Sequence, residues 1–167
     1  MSTWRAYLKW NYLRASSGWL GQTFFNEQFA FASKLTGTKV PQPRWKRASQ
    51  AVDGAMGEAL GKAYVEQNFP PTSKTRMVEL VNNLTASCNE RIAQLPWMSD
   101  ATKKRAKKKL DAIMKKIGYP DKWRDYSALK IDPKDPALTN LARAQEFEVR
   151  RQLKMIGKAP DRTEWGM

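Results

Sequence analysis

The chain has 167 residues, no histidine and one cysteine. Without imidazole there is no histidine base to complete a Ser-His-Asp arrangement or to activate a thiol. Catalytic zinc takes three protein ligands that usually include histidine. The carboxylates that remain suit zinc poorly without nitrogen or sulfur partners. A single Cys88 excludes an internal disulfide and any multi-cysteine metal site. No apolar run reaches the roughly 18 to 20 residues that span a bilayer. The opening Met1-Ser2-Thr3-Trp4-Arg5 lacks the apolar stretch and small-residue cleavage site of a signal peptide.

What is present points to a folded chain. Hydrophobic residues make up 41% and aromatics 11%, with seven tryptophans that call for buried aromatic surface. The length suffices for one domain with a core. Thirty Lys and Arg against 16 Asp and Glu give +14, which raises the question of a polyanionic partner.

The pattern predicts an all-α chain, a multi-helix bundle of about six helices with almost no strand. The first helix spans about Thr3 to Ala15, with Trp4, Tyr7, Leu8 and Tyr12 on an aromatic face, and breaks at Ser16-Ser17-Gly18. The second runs from about Leu20 to Leu35 and stops at Thr36-Gly37. Phe24, Phe25, Phe29 and Phe31 on several sides predict that it is substantially buried. Arg44-Trp45-Lys46-Arg47 opens a long third helix interrupted by Gly54, Gly57 and Gly61, each costing about 1 kcal/mol against alanine. Small residues on neighbouring turns are best explained by another element packed close to the backbone.

Phe69-Pro70-Pro71-Thr72-Ser73 starts a fourth helix that reaches about Leu95 and stops at Pro96. Its stripe is Met77, Leu80, Val81, Leu84, Cys88 and Ile92 or Leu95, so Cys88 reads as a small buried thiol. The sequon Asn83-Leu84-Thr85 falls inside this helix and reads as chance. Ser99 is a good N-cap for a fifth helix, with Asp100 in its first turn. Its buried positions are Ala106, Leu110, Ile113, Met114 and Ile117, with Gly118 as the stop and Pro120 beyond. Residues 119–136 read as irregular, with a short extended piece around Leu129-Lys130-Ile131. The sixth helix covers about Ala137 to Ile156, with Leu138, Leu141, Ala144 or Gln145, Glu148 or Val149, and Leu153 near one side. Gly157 and Pro160 close it.

Charged features have functional and plain readings. Lys103-Lys104-Arg105, Lys107-Lys108-Lys109 and Lys115-Lys116 place eight basic residues on the fifth helix against Asp111. Such a face can hold phosphates. A solvated face costs little, since like charges at i,i+4 lose about 0.2–0.5 kcal/mol per pair. The solvated face is preferred, contact with an acidic partner comes second, and nucleic acid is disfavoured. Glu146 with Glu148, or Glu58 with Glu66, sit in ordinary helical surface patterns and do not make an acid–base pair. Asp121, Asp125, Asp132 and Asp135 lack the spacing of an EF-hand loop and read as helix caps.

Several blocks, in order, resemble neprilysin-like zinc metallopeptidases. They are Trp4-Arg5-Ala6-Tyr7-Leu8, Pro43-Arg44-Trp45-Lys46-Arg47, Gly57-Glu58-Ala59-Leu60-Gly61-Lys62-Ala63-Tyr64-Val65 and Phe69-Pro70-Pro71. Trp97-Met98-Ser99, Ile117-Gly118-Tyr119-Pro120-Asp121, Trp123-Arg124-Asp125-Tyr126, Gly157-Lys158 and Asp161-Arg162-Thr163-Glu164-Trp165-Gly166-Met167 follow. The bacterial branch resembles it more, because animal ectodomains of this family rely on several disulfides. The resemblance implies a zinc endopeptidase acting on short peptides inside a closed chamber. Its zinc would be held by an H-E-x-x-H helix and a downstream glutamate, with an Asn-Ala-Tyr/Phe segment on the substrate backbone. None of these motifs occurs in this sequence.

The expectation is therefore a single helical region over residues 1–167, resembling the non-catalytic part that caps the chamber. It ends as if cut within a segment. No residue is assigned a catalytic, cofactor-binding or metal-binding role, and zinc belongs to full-length relatives only. The partners implied are the missing catalytic lobe, short peptides in the whole protein, and further copies through exposed apolar surface. The parent would be bacterial and periplasmic or secreted. The alternatives are a stand-alone basic helical module that binds an acidic partner or nucleic acid, and a peptidase completed by a separate chain.

Overall fold

The computed structural model describes residues 2–165; the Gly166-Met167 end of the last resembling block lies outside the described residues. Six helices follow in order: α1 (Ser2–Leu20), α2 (Gln22–Thr36), α3 (Arg44–Asn68), α4 (Pro71–Gln94), α5 (Asp100–Asp111) and α6 (Ala137–Leu153). Among the described residues there is no strand, and 129–131 is irregular. The chain divides into two compact units, Met1–Met56 with Asp125–Gly157, and Gly57–Arg124 with Lys158–Met167.

In the first unit α1 packs against α2 and α6. The expected break at Ser16-Ser17-Gly18 is absent, and α1 runs on to Leu20. Ser16 and Ser17 are buried, and the Ser17 hydroxyl donates to the Arg14 carbonyl at 2.8 Å, so it is satisfied inside the helix. The chain breaks instead at Gly21, whose φ of 155° and ψ of 172° are open essentially to glycine alone. Helix α2 ends as expected, with Gly37 left-handed at φ 73° and its N–H on the Ser33 carbonyl.

The expected burial of α2 is not found. Phe25 and Phe29 are half-buried and stacked at 6.4 Å between centroids, with the Arg47 guanidinium 3.8 Å from the Phe25 ring. Phe24, Phe31 and Leu35 are exposed, because only one face of α2 meets a neighbour within the unit. Helix α6 begins after Pro136 and stops three residues before the expected Ile156, in a turn that ends at left-handed Gly157. Ala144, 3% exposed, is the buried apolar residue of this helix, and Tyr126 stacks on Phe147 at 5.7 Å.

In the second unit α4 packs against α5. Pro71 supplies the N1 residue of α4, where its missing N–H costs nothing. Ser99 caps α5, its hydroxyl accepting the Thr102 N–H at 3.4 Å. The covered side of α4 is Val78, Val81, Thr85 and Ile92, each half-buried. Met77, Leu80, Leu84 and Cys88 are exposed, which corrects the reading of Cys88 as a buried thiol. Helix α4 is apolar on two sides, and α5 covers the other one.

Helix α5 ends at Asp111, not at Ile117. Ala106 and Leu110 are half-buried, whereas Ile113 and Met114 are exposed. Tertiary bonds hold the next residues out of the helix. Arg162 Nη2 donates to the Ala112 carbonyl at 3.1 Å, Lys115 Nζ to Asn82 Oδ1 at 2.8 Å, and Lys116 Nζ to the Glu164 carbonyl.

Gly54 does not mark a close approach, since no atom lies within 4 Å of where its Cβ would be. It precedes a break in α3 at Met56, with φ −148° and ψ 47°. Glycines at 54 and 57 weaken the helix on both sides of that residue. The tryptophans are not collected into a core: Trp4, Trp10, Trp45 and Trp97 are exposed.

The chain exposes 14,026 Å² for 19.2 kDa, against about 8,400 Å² for a compact monomer of that mass. Two separate compact halves would expose about 10,200 Å², so even then the 14,026 Å² is excessive. Apolar helix faces in both units lie open.

Candidate functional site

The best-organised polar group of the chain lies in the second unit and centres on Arg124. Glu58 of α3 is buried, 6% exposed, in the small and apolar run Gly57-Glu58-Ala59-Leu60-Gly61. Its Oε2 accepts the Arg124 backbone N–H at 2.7 Å, and its Oε1 lies 3.1 Å from Arg124 Nη2. The same Nη2 is 3.3 Å from Glu164 Oε1. A buried carboxylate is expensive unless paired and hydrogen-bonded, and here it is both. The guanidinium thus ties α3, the loop after Trp123 and the segment around Glu164 to one point.

Beside it stands an aromatic and lysine cluster. Lys74 Nζ donates to the Tyr119 carbonyl at 2.8 Å and to Asp121 Oδ1 at 2.6 Å, and lies 4.2 Å from the Tyr119 ring centroid. Phe69 meets Tyr119 edge-on at 5.8 Å, and Tyr119 stacks on Trp123 at 6.0 Å. Gly118 is needed here twice over: its φ is 75°, and a Cβ would lie 3.2 Å from Phe69 Cε1. A hollow of about 550 Å³ adjoins this cluster, with Val78, Met114, Ile117 and Trp165 among the residues that line it.

Among the described residues no three of His, Cys, Asp and Glu are grouped to hold a metal ion. Asp125 and Asp161 titrate below the ordinary carboxylate range. The Ser127 backbone N–H, then its side chain, lowers Asp125. The Thr163 side chain, then its backbone N–H, lowers Asp161, with a smaller contribution from the Lys116 charge. A general acid at neutral pH needs the opposite displacement.

Of the carboxylates weighed from the sequence, Glu58, Glu146, Glu148, Asp121 and Asp135 form ion pairs. Glu146 holds Arg150 at 2.7 Å and Glu148 holds Arg151 at 2.8 Å, while Glu66 is exposed. The loop aspartates cap no helix, since Pro136 stands at the N-cap of α6. Asp125 and Asp132 instead accept the N–H two residues on, in Asx turns, at 2.8 Å each. Asp121 pairs with Lys74, and Asp135 with Arg143 at 2.6 Å. The role of Glu58 was missed, although a carboxylate set among glycines and apolar residues is a sequence signal for a buried pair.

Comparison with known proteins places this geometry. The model for the N-terminal part of peptidase family M13 matches residues 1–120. The chain belongs to peptidase family M13. Human endothelin-converting enzyme 1 is 33% identical over 96% of this chain and 22% of its own length. The neutral endopeptidase of Lactobacillus helveticus is 31% identical over 93% of this chain and 24% of its own. Among solved structures, the zinc metalloprotease Zmp1 of Mycobacterium tuberculosis in its open state superposes with a TM-score of 0.87. It is 39% identical, and the match covers 98% of this chain and 25% of that one. The chain therefore spans between a fifth and a quarter of the length of these relatives. The all-helical architecture agrees with the corresponding region of Zmp1.

Proposed function

We propose that this chain is the non-catalytic helical section of a neprilysin-like zinc metalloendopeptidase of the bacterial branch, acting on short peptides, and that it caps and shapes the peptide chamber. One observation carries the reading: 39% identity over 98% of the chain, at 25% of the Zmp1 length, in a sequence without histidine. Residues 1–167 serve that role as a single section. None of them is catalytic, cofactor-binding or metal-binding, and zinc is held by the catalytic lobe. That lobe is the natural partner for the open apolar faces. Without it, exposed side chains such as Trp4, Phe31, Leu35 and Leu84 drive the chain to self-associate.

The test uses the 167-residue chain with a quenched fluorescent peptide and zinc. Hydrolysis no faster than buffer is expected, and light scattering should show dimers or larger species. Adding the remainder of the parent enzyme as a separate chain should restore cleavage that a chelator abolishes. Chelator-sensitive cleavage by the chain alone, or a clean monomer at high concentration that fails to bind the remainder, would overturn the proposal.

A further inference from the structure

The outer face of α5 is strongly cationic, with Asp100 and Asp111 at the two ends of the helix. Lys103, Lys104, Arg105, Lys107, Lys108 and Lys109 make no ion pair among the described residues. Helix α6 differs, for there Arg150 and Arg151 are matched by Glu146 and Glu148. The 12 residues of α5 form a rod about 18 Å long. Lys103, Ala106 and Leu110 are half-buried, which turns Lys104, Arg105 and Lys108 outward with Lys107 and Lys109 at the flanks. Apolar side chains bracket the rod. Trp97, 74% exposed, precedes it, and exposed Ile113 and Met114 follow it.

We propose that this face docks on an anionic lipid surface, the lysines against the headgroups and Trp97, Ile113 and Met114 entering the interface. A cluster of lysine and arginine on an exposed helix is attracted to anionic lipid at about 1 kcal/mol per residue, and exposed apolar side chains beside it add buried area. No described helix is long and apolar enough to cross one, so the contact is peripheral. Phosphate recognition alone would serve nucleic acid too, but it gives no role to the three exposed apolar side chains.

The experiment is co-sedimentation of the 167-residue chain with vesicles of phosphatidylcholine alone or mixed with phosphatidylglycerol, at physiological salt. Binding is expected only to the mixed vesicles. Each lysine near such a surface strengthens binding roughly fivefold, so Lys104→Gln/Lys107→Gln/Lys108→Gln should weaken it on the order of 100-fold. The control variant Lys9→Gln/Lys34→Gln/Lys39→Gln carries the same net charge and should bind nearly as the parent does. Trp97→Ala should weaken binding without removing its salt dependence. Equal binding to neutral vesicles, equal losses in the two triple variants, or tighter binding to duplex DNA at the same salt would each overturn the proposal.

Discussion

Glu58→Ala should destabilise the second unit more than any other single carboxylate removal. Glu58 is 6% exposed and meets both the backbone N–H and the guanidinium of Arg124, at 2.7 and 3.1 Å. Truncation leaves that N–H without its acceptor and the guanidinium without its buried counter-charge. Breaking a fully buried pair costs about 3–5 kcal/mol. The Arg124 side chain is 23% exposed and keeps Glu164, so about 2–3 kcal/mol is the reasoned figure. For a chain of this size that lowers Tm by roughly 4–12 °C. Glu164→Ala removes a more exposed carboxylate at 3.3 Å and should cost only about 0.5–1 kcal/mol. Glu58→Gln keeps an oxygen for the Arg124 N–H and should fall between the two. Urea unfolding followed by circular dichroism reads all three. Equal losses for Glu58→Ala and Glu164→Ala, or a Glu58→Ala loss below about 1 kcal/mol, would refute the account of Glu58 as the buried anchor.

Two further outcomes follow from local geometry. Gly54→Ala meets nothing within 4 Å and should stabilise the chain by about 0.5–1 kcal/mol, read as a rise in Tm; a loss would reinstate a close neighbour at that turn. Asp161 has its titration lowered by Thr163, so its contribution to stability is present above the ordinary aspartate value of 3.8 and is lost as pH falls through the lowered folded value. Thr163→Ala should move the Asp161 titration up toward that ordinary value in a carbon-13 carboxyl NMR experiment, and an unmoved titration would exclude the Thr163 hydroxyl as its cause.

The sequence disclosed most where structure is decided within a few residues. Ser99 as a cap, Pro71 at the first turn of α4, Gly37 as a left-handed stop and Pro136 before α6 each act on their own backbone. It misled where the outcome depends on a distant partner. The apolar period of α4 says that its faces want cover. It does not say that α5 packs on this helix, nor that Val78 and Val81 are half-buried while Leu84 and Cys88 stay open. Ser16-Ser17 resembles a break until the Ser17 hydroxyl is seen to bond within the helix. The end of α5 was placed too late because the bonds from Arg162 to Ala112 and from Lys116 to Glu164 span about fifty residues. Arg124 stands 66 positions from Glu58, and no local pattern joins them.

The uncovered surface is of two chemical kinds, and they call for different partners. One kind is apolar helix face: Trp4, Tyr7 and Leu8 on α1, Phe31 and Leu35 on α2, Leu80 and Leu84 on α4. Each loses the hydrophobic stabilisation of roughly 25 cal/mol per Å² while it stays wet. Such faces suit the protein surface of a larger M13 enzyme, where they would be removed from water. The outer face of α5 cannot be satisfied in that way, because burying its five unpaired cations against protein would require as many counter-charges or a large desolvation cost. It gains most from a partner that remains hydrated and carries many negative charges at once. On the proposed function, apolar faces that meet the catalytic lobe can therefore leave α5 outside that interface. Vesicle binding and lobe binding should then be independent: the α5 triple glutamine variant should still restore peptide cleavage when mixed with the remainder of the enzyme. Loss of cleavage in that variant would place α5 inside the interface and remove the basis for separating the two surfaces.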